Sequence, residues 1–148
     1  MDGLSHLKRN KIVRNELYHN VLNIKRLKFI LQGGVIVKDE TIAEPCVYMT
    51  RDYNYLTDRG IRMVFDYRKL RNNYKVKPFC YRGWCLLNDR KFIPKDDEME
   101  ERVLADVNIM KCCIRVDIDG NKFKEIDFNH TLINHTTEFN KKIRYENK

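Results

Sequence analysis

No stretch of this chain approaches the roughly 18 apolar residues that a membrane-spanning helix needs. The N-terminus has no apolar h-region, so no secretory leader is expected. Cysteine occurs five times, an odd count, and never as C-x-x-C. That spacing excludes paired zinc ligands and gives no disulfide framework. The expectation is reduced thiols in a cytoplasmic setting, mostly as small buried hydrophobes. H-E-x-x-H is missing, and His130 and His135 are too isolated to suggest a metal centre. Internal repeats and low-complexity segments are also lacking.

What is present is enough for one folded domain spanning 1–148. Hydrophobic residues make up 43% of the chain and tyrosine occurs eight times, a composition unlike that of a disordered tail. Lysine and arginine number 29 against 21 acids, a formal net charge of +8. A surface this basic suits a polyanionic partner, with nucleic acid first. Composition rich in Lys, Asn and Ile points to an AT-rich genome such as a phage's.

The pattern reads as a strand-rich α+β domain. Residues 1–15 form a basic arm. ELYHNV (16–21) reads as a strand. A helix follows, capped by Asn23 and stopped at Gly33-Gly34, with Ile24, Leu27, Phe29, Ile30 and Leu31 as its apolar stripe. CVYMT (46–50) and the alternating IRMVFDY (61–67) read as strands, the second half-buried. RKLRNNY is a turn with helical character, KVKPFCYRGW is extended, and CLLNDRKFIPKDD is a long loop. ERVL and IMKCCIRVDI read as strands, Asp119-Gly120 as a hairpin turn, and KFKEIDF as its return strand. Residues 129–148 form a tail or terminal helix with Leu132, Ile133, Phe139 and Ile143 inward.

Three places carry chemistry. Tyr18-His19 closes the first strand. On the second, alternation puts Tyr48 and Thr50 on one face, with Arg51 at the exit; its planar fork suits phosphate. Five of the six residues from Asp96 to Glu101 are acids, immediately before an apolar strand. If that segment is extended, Glu98 and Glu100 share a face and Glu101 points the other way. Each also has a plain explanation: a structural histidine, a core tyrosine, a solvated acidic loop. Two basic clusters flank them. One runs from Lys8 to Lys28; the other joins Arg68, Lys69, Arg71, Lys75 and Lys77 to Tyr67, Tyr74 and Phe79, a mixture that suits single-stranded nucleic acid or a charged shell over core aromatics.

The order LYH, RLKFILQGGVI, VYMTRD and EMEERV resembles the ADP-ribosyltransferase superfamily over roughly residues 16–118, especially small phage and bacterial members and DNA-targeting toxins. The resemblance implies split mixed β-sheets with few helices, NAD as substrate, and a mono-ADP-ribosyltransferase acting on a macromolecule. Nucleic acid is favoured over a host protein because of the charge. It assigns the catalytic carboxylate to Glu101, with Glu100 as the alternative, and makes Glu98 an upstream acid that orients or deprotonates the acceptor. His19 and backbone groups around Tyr18 would bind NAD. Arg51 would contact pyrophosphate or activate the acceptor, and Tyr48 would stack on nicotinamide. Thr50 resembles the Ser/Thr of a second subgroup. Two alternatives stand beside it: an NAD-consuming hydrolase or RNA 2′-phosphotransferase, and a non-enzymatic basic protein binding nucleic acid or a host factor.

Overall fold

A computed structural model describes residues 10–55, 60–93, 99–123 and 142–146. Nine strands and four helices lie among them. Seven strands form one mixed sheet and two form a ribbon, so α+β with few helices holds at that level.

Strand β1 (Glu16–Asn20) lies at the centre of the large sheet. It pairs antiparallel with β3 (Val47–Thr50) on one side and β4 (Ile61–Asp66) on the other. Outward from β3 come β6 (Glu100–Val103) and β5 (Val76–Pro78); outward from β4 come β8 (Cys113–Asp119) and β9 (Ile143–Glu146). The ribbon pairs β2 (Val35–Ile36) with β7 (Val107–Asn108).

Side chains alternate across the sheet. One face gathers Leu17, Val47, Met49, Ile61, Met63, Phe65, Val103, Val116 and Ile118 into the core. Helix α1 (Ile24–Gly33) covers core with Leu27, Ile30 and Leu31, each burial worth about 1.5–3 kcal/mol. Asn23 caps it by accepting from the Arg26 amide, and Gly34 ends it at φ 72°. Phe29 departs from the expected stripe and is 61% exposed. It stands two residues from Leu27, about 200° around the helix and so opposite the buried face.

The other face is polar, but much of it is also covered. Ile61 through Phe65 are all buried, so β4 is not the half-buried strand its alternation suggested. Arg62 lies with its guanidinium 3.6 Å from the centre of the Tyr53 ring. Asp117, 3% exposed, takes ion pairs from Arg62, Arg115 and Arg144 at 3.1–3.5 Å. The Arg144 pair joins β9 to β8, which it meets in parallel. Ile143 is therefore in a strand and not in a terminal helix; the rest of that helix, from 129 to 141, lies outside the described residues. The Asp119–Phe123 turn is present, but residues 124–128 of the return strand also lie outside.

Three further segments differ from expectation. RKLRNN belongs to a helix, α2 (Tyr67–Asn73). Extended chain and loop were expected where α3 (Tyr81–Leu87) forms. IMKCCIRVDI divides into α4 (Ile109–Cys112) and β8, because Asn108 accepts from the Met110 amide and starts a turn of helix. Of the basic arm, residues 1–9 lie outside the description; Ile12 bridges to Asp52. Four of the five cysteines are buried and Cys80 is exposed; all are free thiols.

Candidate functional site

Glu101 enters β6 between β3 and β5, opposite Met49 and Pro78. Its face is the core face, and it is 3% exposed. An acid placed there must find partners or carry the desolvation penalty. One oxygen, Oε1, accepts a short hydrogen bond from the Tyr67 hydroxyl and lies 3.7 Å from Arg51 Nε. The other, Oε2, is buried and has no hydrogen-bond partner among the described residues. Arg51 Nε is likewise buried without a hydrogen bond, while its side chain as a whole is 39% exposed.

Local structure fixes Tyr67. It opens α2, whose cap Asp66 accepts from the Lys69 amide. Asn15, held at φ 62°, takes the Tyr67 amide on its carbonyl and the Arg68 amide on its side chain, and donates to Asp66. Arg71 covers the Tyr67 ring with its guanidinium 4.8 Å from the ring centre. Burial, reinforced by the bond to Glu101, pushes the Tyr67 phenol up to about 12. Tyr67 is therefore a neutral donor at any ordinary pH. In the sequence it stands beside a basic cluster, and no local signal links it to an acid 34 positions later.

His19 shares this face. Register from Tyr18–Thr50 sets His19 opposite Met49, and Met49 pairs with Glu101. One row across the sheet thus reads His19, Met49, Glu101, with the two ends about 10 Å apart at two strand spacings. His19 Nδ1 stands 2.8 Å from the Tyr48 carbonyl. A carbonyl only accepts, so Nδ1 carries a proton and donates to it.

The remaining candidates lie elsewhere. Tyr18, Tyr48, Thr50 and Glu100 occupy the opposite face, as the Tyr18–Thr50 and Thr50–Glu100 pairings require. Glu100 is ion-paired with Arg102, whose guanidinium packs 3.8 Å from the Phe79 ring centre. Tyr48 donates toward Asp39 at 3.4 Å. Thr50 accepts from the Asp52 amide. Tyr18 donates to Glu16 and packs edge-on against Tyr53. Glu98 lies outside the described residues. Met99 is at φ 49°, a left-handed position uncommon for its type, and its carbonyl accepts from the Arg51 amide. The register of β6 against β3 sets which of the two glutamates faces the core.

The second basic cluster resolves as a charged shell over inward aromatics. Tyr67 and Tyr74 pack on the core, and the Tyr74 hydroxyl accepts from the Asn108 amide. Among the described residues no group of three His, Cys, Asp or Glu side chains is placed to hold a metal, and no helix is long and apolar enough to cross a membrane. Comparison with protein-family models, curated proteins and solved structures finds no match.

Proposed function

We propose that the protein is an NAD-dependent mono-ADP-ribosyltransferase acting on a macromolecule, with nucleic acid favoured over protein by the +8 charge. One observation carries the reading. The Oε2 atom of Glu101 is a buried acceptor with no partner among the described residues. Such an atom costs about 1–3 kcal/mol unless something donates to it. A ribose hydroxyl is a donor of the right kind.

In this reading Glu101 accepts from the ribose of the nicotinamide nucleoside. Its charge opposes the positive charge that develops at the ribose carbon as the bond to nicotinamide breaks. The bonding pair leaves with the nicotinamide nitrogen, which becomes neutral. The acceptor's nucleophilic atom bonds to the same carbon and gives up its proton, the task of an upstream acid such as Glu98. Tyr67 holds Oε1 and so aims Oε2. The exposed end of Arg51 suits the pyrophosphate. His19, in the same row of the sheet as Glu101, is the proposed NAD contact on β1. The opposite-face positions of Tyr18, Tyr48, Thr50 and Glu100 favour supporting roles in the sheet. Histidine on the first strand, arginine after the third and glutamate on the sixth support this reading, because the sequence resemblance names the same three residues.

The test is transfer of label from adenylate-labelled NAD to single-stranded DNA, to RNA or to a host lysate, beside Glu101→Gln. Label on one acceptor, lost in the variant, is expected. Nicotinamide release without a labelled acceptor would move the reading to a hydrolase. Absence of NAD turnover by the folded protein would overturn it in favour of a binding protein.

A further inference from the structure

The basic, aromatic surface suited to a nucleic-acid strand lies on α1. A groove of about 390 Å³ is lined by Leu22, Asn23, Lys25, Arg26 and Phe29. Its walls include two large apolar side chains left in solvent, Leu22 at 67% and Phe29 at 61%. Arg26 holds its guanidinium 5.5 Å from the Phe29 ring centre. The lining has two cations and no acid, the first turn of α1 has no acid, and Lys28 adds a third cation on the same helix. Leu22 follows His19 by three residues, so the groove begins where β1 ends.

We propose that this groove binds single-stranded nucleic acid, with one base laid against Phe29 and Arg26 and the neighbouring phosphates on Lys25 and Lys28. A flat, exposed ring beside a planar guanidinium is a stacking platform that accepts any base. The surrounding cations match phosphates and would make binding salt-dependent. A concave groove with one aromatic wall fits a splayed base better than a flat lipid surface. An acidic peptide would satisfy the charge but leave the ring without a stacking partner. This deepens the proposed function by placing its acceptor strand, and it rests on that reading only for the chemistry that follows binding.

The test is anisotropy of short labelled single-stranded oligonucleotides across a salt series, without NAD, for the whole chain and for Phe29→Ala and Lys25→Gln. Phe29 is exposed, so its removal leaves the fold intact, and circular dichroism checks this. Phe29→Ala is expected to weaken binding on the order of ten-fold, with the salt slope unchanged. An oligonucleotide abasic throughout should bind the unaltered protein equally weakly. Lys25→Gln should flatten the salt slope by about 0.7. Full affinity in Phe29→Ala would overturn the proposal. So would binding of anionic phospholipid vesicles or of a poly-glutamate peptide with the oligonucleotide left unbound. Because NAD is absent, this result can fail while ADP-ribosyl transfer stands, and the reverse.

Discussion

Replacing Glu101 by glutamine separates a functional acid from a structural one. The substitution keeps the shape and lets an amide oxygen still accept from Tyr67. Three changes follow in the folded state. The Tyr67 bond loses its charge assistance, a loss of about 1 kcal/mol. The ion pair to Arg51 disappears, but at 3.7 Å and with the arginine 39% exposed it contributes about 0–1 kcal/mol. Against these, an ionised group 3% exposed, with one oxygen unpartnered among the described residues, no longer has to be desolvated. Relief of that cost is worth about 1–3 kcal/mol. The sum runs from about 1 kcal/mol of destabilisation to about 2 kcal/mol of stabilisation, with stabilisation the favoured sign. For a chain of this length the melting temperature should fall by no more than about 3 °C and rise by no more than about 6 °C. A structural half of a buried pair would instead cost about 3–5 kcal/mol when its partner is lost. Thermal unfolding at pH 7, monitored by circular dichroism and calorimetry, reads the difference. A fall of 10 °C or more would refute the reasoning and make Glu101 a fold-holding acid.

Two other perturbations follow from the same contacts. Tyr67→Phe should destabilise by about 1–2 kcal/mol, because it leaves Glu101 with Arg51 alone. The phenol is held at about 12 when folded and near its ordinary value of about 10 when unfolded, so its contribution is complete below pH 10 and lost as pH rises through 12. Unfolding curves of the two proteins should therefore converge across that window, and a constant gap would contradict the assignment. Asp117→Ala should cost about 1–3 kcal/mol, since it removes a buried acid shared by three guanidinium groups, which keep only Glu146 (Arg62 and Arg144) and Glu16 (Arg115) as acid partners. Amide exchange should show β9 loosening first; an unchanged β9 would show that the ion pairs do not hold it.

Much of the site's scaffold was legible because its signals are local. Asn23 and Gly34 bracket α1, and period-2 alternation marks β1, β3 and β4. Alternation alone also separated Glu100 from Glu101. Deciding which faces the core needed the Val47–Val103 pairing, a contact between distant parts of the chain. Phe29 could have been placed outside by the 100° step from Leu27, Ile30 and Leu31, but its hydrophobicity drew it into the stripe. The four-residue α4 is shorter than any window that reveals helical period, so it merged with β8. Strand β9 owes its form to parallel pairing and to Asp117, neither visible in residues 143–146 themselves. Tyr67 was hidden for the same reason: only the fold brings α2 to β6.

Release of nicotinamide from ring-labelled NAD tests the central claim most directly, with Glu101→Gln and Glu100→Gln measured side by side. The unaltered protein should release label, and Glu101→Gln should fall by about 10²–10³-fold, the range for removing one charge-stabilising group. Glu100→Gln, altered on the opposite face beside Arg102, should keep activity within a few-fold. Full activity in Glu101→Gln, or its loss in Glu100→Gln alone with the fold intact, would contradict the assignment of the reaction to the core-facing carboxylate.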